Sequence, residues 1–284
     1  MSRFLFVSLP LPGHVNPMAA VARTLSAQGH EVAWAGSEAY LRPLVGPEAV
    51  IQQIPLRPHR RQADRGMAAA KTRWEEYIVP HCRVSLKGVD KAVRAFGPDV
   101  LAVCQHAFAG ALVAHRYGLP WASMAVTTME LTRPYQALPK VEAWIQSLLA
   151  ALWTGAGLAG EPPHDLRFSP HLLVSFTGEA LTGPITWPDN AVLVGPALVG
   201  RPPDPGFPMD WLDPGGWRIA RPYPGTRRRS RATPSFVSTR RSRIGFVAVE
   251  AATAAIAMPV SGPATLRIHM ISCSRRLCQA SPPT

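Results

Sequence analysis

Residues 4–17 constrain this chain more than any other stretch. Phe4-Leu5-Phe6-Val7-Ser8-Leu9 is a short apolar run that stops at Pro10-Leu11-Pro12-Gly13-His14-Val15-Asn16-Pro17, and an Ala-rich helical pattern follows at once. A run of that length, closed by Pro and Gly, reads as a buried strand. The pattern then predicts a helix capped by Asn16 and opened by Pro17, which has no N–H to satisfy at a first helical position. Met18, Val21, Ala22 and Leu25 recur at helical spacing, and Gly29 ends the run. His14 therefore stands where a buried strand turns into a helix. In open α/β sheets, ligands bind at that edge, beyond the carboxyl ends of the strands.

The same alternation continues. His30 to Ala35 reads as a strand, Glu38 to Val45 as a short helix and Val50 to Leu56 as a third strand. Arg57 to Lys71 is polar, basic and irregular and reads as a loop. Thr72 to Phe96 is a helical stretch interrupted by Pro80, and Gly97-Pro98-Asp99 stops it. Val100 to Cys104 is a buried strand, Ala107 to Tyr117 a helix ended by Gly118, and Pro120 to Val126 a fifth strand. Strands alternating with helices predict an α/β fold: a Rossmann-like parallel sheet with helices on both faces. Pro139 to Trp153 is a further helix, and His171 to Thr177 and Ala191 to Val194 are short strands. This organisation divides the chain into a Rossmann-like domain over 1–198, a Pro-rich linker over 199–214 and an Arg-rich tail over 215–284.

Charge is distributed unevenly. The net charge is +12, yet residues 215–284 hold twelve Arg, no Lys and one acid, Glu250, so the body is nearly neutral. The tail lacks a sustained period of 2 or 3.6 and its composition predicts disorder. Arg227-Arg228-Arg229 and Arg240-Arg241 could neutralise phosphates. With only Tyr223, Phe236 and Phe246 nearby for stacking, solvated charge is the expected reading and a nucleic-acid partner is not. Cys82 and Cys104 lie in patterned segments, Cys273 and Cys278 in the tail, and no pair has zinc spacing. That usage suits a reducing cytoplasm, with no metal. No apolar run reaches the ~18 residues of a membrane helix. The closest, Ile244 to Val260, is broken by Glu250.

The alternating first half, Pro12-Gly13-His14-x-x-Pro17, and Val194-Gly195-Pro196 before a Pro-rich linker and Trp211-Leu212, resemble the two-Rossmann-domain (GT-B) nucleotide-sugar glycosyltransferases. The resemblance is to bacterial enzymes of the macrolide and natural-product type and covers residues 1 to about 214. It implies the N-terminal half of a GT-B fold, a domain that binds a small lipophilic acceptor. In that family a second domain binds the nucleotide sugar, the co-substrate, through a Gly-rich, His- and Glu-containing signature; no other cofactor is implied. Nothing after Pro214 resembles that domain. The jump in Arg content there suggests an out-of-frame reading of a GC-rich gene.

The resemblance also assigns roles. Inverting glycosyl transfer needs a group that takes the acceptor hydroxyl's proton, and a neutral imidazole can do so. His14, before a helix N-terminus whose dipole disfavours imidazolium, is the candidate general base. A histidine merely hydrogen-bonded in a turn is the plainer alternative, and a phosphate site there is disfavoured by the single glycine. The family's histidine is usually held by an aspartate at the end of the fourth strand. Here Val103-Cys104-Gln105-His106-Ala107 occupies that segment, so the orienting slot falls to Cys104, or to Gln105 if the register slips by one, with His106 close by. Candidate acceptor contacts are Gly13, Trp74, Tyr77, Phe108, Thr127 and Thr128, with Met67, Ile78 and Met124 to Glu130 as further lining, although each is also a plausible core residue. The expected behaviour is acceptor binding without turnover; a non-catalytic acceptor-binding or helper protein is the rival.

Overall fold

The computed structural model describes residues 1–58, 65–128, 131–133, 135 and 137–197. The elements, in chain order, are β1 (Arg3–Val7), α1 (Pro12–Ala27), β2 (Glu31–Gly36), α2 (Glu38–Val45), β3 (Val50–Gln53) and α3 (Gly66–Lys71). A π-helical segment, Thr72–Ile78, joins α3 to α4 (Val79–Phe96). Then come β4 (Val100–Cys104), α5 (Phe108–Tyr117), β5 (Trp121–Ala125), α6 (Pro139–Gly155), β6 (Leu172–Ser175), α7 (Glu179–Thr182) and β7 (Ala191–Leu193). The predicted linker and Arg-rich tail, and the end of the predicted first domain at 198, lie outside the described residues.

The strands form one sheet in the order β3-β2-β1-β4-β5-β6-β7, with every neighbouring pair parallel. The chain builds outward from β1 to β3, then returns to the other side of β1 and builds outward to β7. Crossovers in parallel sheets are right-handed, so this reversal sends helices to opposite faces. Accordingly α1 packs on α2, while α4 packs on α5 and α6. The α/β fold with helices on both faces is as the periodicity predicts. β6 and β7 extend the same sheet: Ala125 pairs with Ser175 and Ser175 with Leu193.

Parallel strands covered on both faces need near-continuous apolar sequence. Phe4, Leu5 and Phe6 of β1 and Leu101 to Cys104 of β4 are buried accordingly, each large side chain stabilising the fold by roughly 1.5–3 kcal/mol. Gly110 lets α5 lie directly on this layer. A Cβ there would sit 2.8 Å from Val103 Cγ2 and 3.2 Å from Val7 Cβ, so the helix would have to move outward. α4 and α5 each end on a glycine in the left-handed region, Gly97 at φ 63° and Gly118 at φ 61°, the usual helix stop.

Three expectations need correction. The first helix begins at Pro12, not Pro17. Leu11 is its N-cap, and Pro17 lies inside it. Both prolines suit a helix start, but Pro12 comes first. Second, Gly66–Lys71 within the predicted loop is helical, because its Met67-Ala-Ala-Ala core favours helix once it abuts Thr72–Ile78. Third, Pro80 does not interrupt the long helix. It sits in the first turn of α4, behind the π-helical segment.

Candidate functional site

The strand order reverses between β1 and β4, and doubly wound sheets hold ligands at the carboxyl ends of strands at such a reversal. The first turn of α1 stands over it. His14 is the third residue of that helix, and its N–H donates to the Leu11 carbonyl at 2.9 Å. Three residues on, Pro17 has no N–H to give the Gly13 carbonyl, so that oxygen, beside His14, is left without its helical partner. Gly13 is exposed, and a Cβ there would meet nothing within 4 Å.

The His14 ring reaches across to β4. Its Nδ1 lies 3.0 Å from Cys104 Sγ. Of the two slots the sequence left open, the structure sets Cys104 against the imidazole. Cys104 is fully buried, and burial raises its thiol. The backbone N–H groups of His106 and Leu9 and the nearby Ser8 side chain oppose that rise, although the Ser8 hydroxyl itself donates to the Leu9 carbonyl at 3.1 Å. Those donors make a setting suited to an anion, yet it holds a neutral thiol. On the other side of the pair, burial pushes the His14 imidazole down to about 3, with His106 and Arg73 adding to the effect. The ring is therefore neutral at pH 7 and weakly basic. Gln105 is buried beside this pair, and neither its Oε1 nor its Nε2 has a hydrogen-bond partner.

The wall opposite is the π-helical segment. Its wider turn carries the helix past Pro80: the Val79 N–H reaches Trp74 O, five residues back. Pro80 cannot donate to the Glu76 carbonyl, and the Arg57 guanidinium does so instead, Nε to O at 2.9 Å. The Trp74 ring stacks on Phe108 at 5.9 Å and meets His106 edge-on at 6.1 Å. His106 and His14 lie 6.4 Å apart, centroid to centroid. Arg73 Nη2 donates to His106 Nε2 at 3.4 Å, which makes that nitrogen the unprotonated one. Tyr77 is buried nearby. Its phenol is raised first by burial and then by Cys104.

His14, Cys104, His106, Trp74 and Phe108 thus form one cluster. Trp74 and Phe108 are each 1% exposed, so they back the site rather than open onto it. Thr127 and Thr128 leave β5 on the same edge, but no described hydrogen bond or ring contact joins them to His14. Ile78 and Met124 are core and Met67 is exposed, while Met129 and Glu130 lie outside the described residues. Sequence reasoning missed Arg73 and Ser8. The signal for Ser8 was its place at the exit of β1; Arg73, in the π-helical segment and thirty-three residues from His106, had none. Among the described residues no group of three His, Cys, Asp or Glu side chains could hold a metal ion, and no helix is long and apolar enough to cross a membrane.

No protein-family model matches the sequence, and no curated protein matches it significantly. Solved structures do. The calicheamicin glycosyltransferase CalG4 is 20% identical, with a TM-score of 0.54, over 72% of this chain and 56% of its own. The kitacinnamycin glycosyltransferase is 18% identical, with a TM-score of 0.54, over 71% of this chain and 53% of its own. The chain spans about half the length of the structures it matches. Over that span, this chain has the fold of the GT-B natural-product glycosyltransferases.

Proposed function

We propose that residues 1–198 form the acceptor-binding domain of a GT-B glycosyltransferase, with His14 as the base that takes a proton from a hydroxyl of a lipophilic, macrolide-like acceptor. The observation that carries this reading is the His14–Cys104 contact at the strand-order reversal. A ring neutral at pH 7 there has a lone pair to offer as the acceptor oxygen attacks the sugar carbon and the nucleoside diphosphate departs. A nucleotide sugar for this chain would be held by a second, donor-binding domain. Its orientation against the acceptor contributes ~7–11 kcal/mol in reactions of this kind. The 284-residue chain alone is therefore expected to bind a macrolactone aglycone and to turn over little or none.

The test is calorimetric titration of the purified chain with such aglycones, alongside a transfer assay with nucleotide sugars. Failure to bind any aglycone sinks the reading. Transfer that disappears in His14→Ala supports the base and removes the need for a second domain. A second reading, a non-catalytic acceptor-binding or helper protein, is favoured by one observation. His14 is held near 3 and faces a thiol, so nothing stabilises its charged form. Aglycone binding that His14→Ala leaves unchanged, with no transfer even when a donor domain is supplied, would select it.

A further inference from the structure

The opposite edge of the sheet, at the amino ends of β5 and β6, brings together two histidines that the acceptor-domain reading does not use. His115 stands in the last turn of α5, and His164 in the connection from α6 to β6, forty-nine residues on. Their Nε2 atoms face each other at 2.9 Å. Both residues are half-buried, so the pair borders solvent.

The hydrogen on each ring can be placed. His164 Nδ1 lies 3.0 Å from the Asp165 carbonyl, which only accepts, so Nδ1 carries the hydrogen and Nε2 keeps its lone pair. His115 Nε2 therefore donates the hydrogen that the two rings share. Ligating histidines are oriented in the manner of His164, with one ring nitrogen tied to a carbonyl and the other open to an ion. Both rings are also held by indoles: His115 meets Trp153 edge-on at 5.1 Å, and His164 lies 6.3 Å from Trp121. The Asp165 carboxylate is engaged elsewhere, by Arg167 at 3.0 Å and Gln146 at 3.1 Å.

The separation selects an ion. Two nitrogens side by side on a square-planar ion, each about 2.0 Å from it, are about 2.8–2.9 Å apart, whereas a tetrahedral ion spreads them to about 3.3 Å. Cu(II) and Ni(II) take the square-planar or tetragonal arrangement and accept imidazole nitrogen. Among the described residues no third His, Cys, Asp or Glu completes a group with these two, so water takes the ion's other positions.

We propose that His115 and His164 form a chelating site for a tetragonal divalent cation of the Cu(II) or Ni(II) type, at the edge of the sheet opposite His14. The ion takes the place of the hydrogen shared by the two rings, and that hydrogen moves to His115 Nδ1. An ion held there ties the end of α5 to the connection before β6.

The full 284-residue chain is titrated with nickel chloride by calorimetry at about pH 7.5, where the ligating nitrogens are unprotonated, beside His115→Gln and His164→Gln. The parent should bind about one equivalent of Ni(II) more than either variant. Each variant should weaken that event at least tenfold, because one imidazole remains where two chelated. Saturating Ni(II) should raise the melting temperature of the parent and leave that of both variants unchanged. One equivalent of Cu(II) on the unaltered chain should bind tighter still and show coupling to two nitrogens in its electron paramagnetic resonance spectrum, a readout that does not depend on how the variants fold. Absence of the Ni(II) event in the parent, its survival in either variant, or a Cu(II) spectrum without nitrogen coupling overturns the site and leaves a plain hydrogen bond between the rings.

Discussion

The two ends of the sheet are built to different rules. At the amino ends of the strands, polar groups are paired within the protein. The Arg3 N–H donates to Asp99 at 2.7 Å, its Nε to Glu31 at 3.1 Å and its Nη1 to the Gly97 carbonyl at 3.2 Å, with the guanidinium 4.5 Å over Phe96. Before β6, buried Arg167 is gripped by Asp165, 2.7 Å away, and by Glu142 of α6. The Ser169 N–H donates to Ser123 Oγ at 2.8 Å. At the carboxyl ends the protein leaves Gln105, Thr127, Ser175 and Thr177 unmet and holds His14 far from its ordinary protonation range. Trp121 Nε1, at the start of β5, is the exception at the amino end. The difference separates an edge whose polar groups are paired within the protein from one where several described side chains are not.

The contrast can be broken most forcefully by acid. Burial holds His14 near 3 and His81 near 4 in the folded chain, below the ordinary value of 6.5. The unfolded chain therefore binds more protons as pH falls. Stability is complete above about pH 6.5 and should decline by about 6 kcal/mol by pH 4, roughly half from each ring. His81→Gln should flatten part of that slope, and a slope that it leaves intact would move the cause elsewhere. The paired end comes next. Arg167→Leu leaves two carboxylates facing an apolar side chain, and a loss of about 3 kcal/mol is expected in urea unfolding, with aglycone binding unchanged. Reduced binding would blur the division between the two ends.

Smaller effects sharpen the other end. Cys104→Asp places a carboxylate beside the backbone N–H groups of Leu9 and His106, and should raise the His14 imidazole by about one unit or more, read by NMR titration. Cys104→Ala should leave it low. A ring that does not respond to the carboxylate would mean that its environment is set by burial alone. Last, Thr127→Val removes an unmet hydroxyl at constant shape and should stabilise the chain by about 0.5–1 kcal/mol in urea unfolding. A loss of stability would show that the hydroxyl has a partner after all.

Most of the fold was legible because strands in this sheet are buried on both faces and so read as plain apolar runs. Glu38 to Val45 and Val100 to Cys104 were read to the residue. The errors cluster where proline and local hydrogen bonding compete. Pro12 and Pro17 both satisfy the rule for a helix start, and nothing local says that the chain tolerates the second inside the helix. Pro80 looks like a break until the π turn and the reach of Arg57 to Glu76 are seen, a contact nineteen residues apart in sequence. The position of His14, in the first turn after the strand exit, was legible. The choice between Cys104 and Gln105 was not, since one residue of register reverses which side chain faces a given side of a strand.

The thiol opposite His14 has one further consequence. A carboxylate only accepts a hydrogen bond, so it would pin the ring's proton on Nδ1 and leave Nε2 permanently open. A sulfhydryl can give as well as take. Whenever Cys104 donates, the imidazole lone pair is occupied at Nδ1, and the far nitrogen carries the hydrogen. Molecules caught in that idle tautomer cannot deprotonate an alcohol until the ring rearranges. Any rate that depends on this histidine is scaled by the share of the population in the other form.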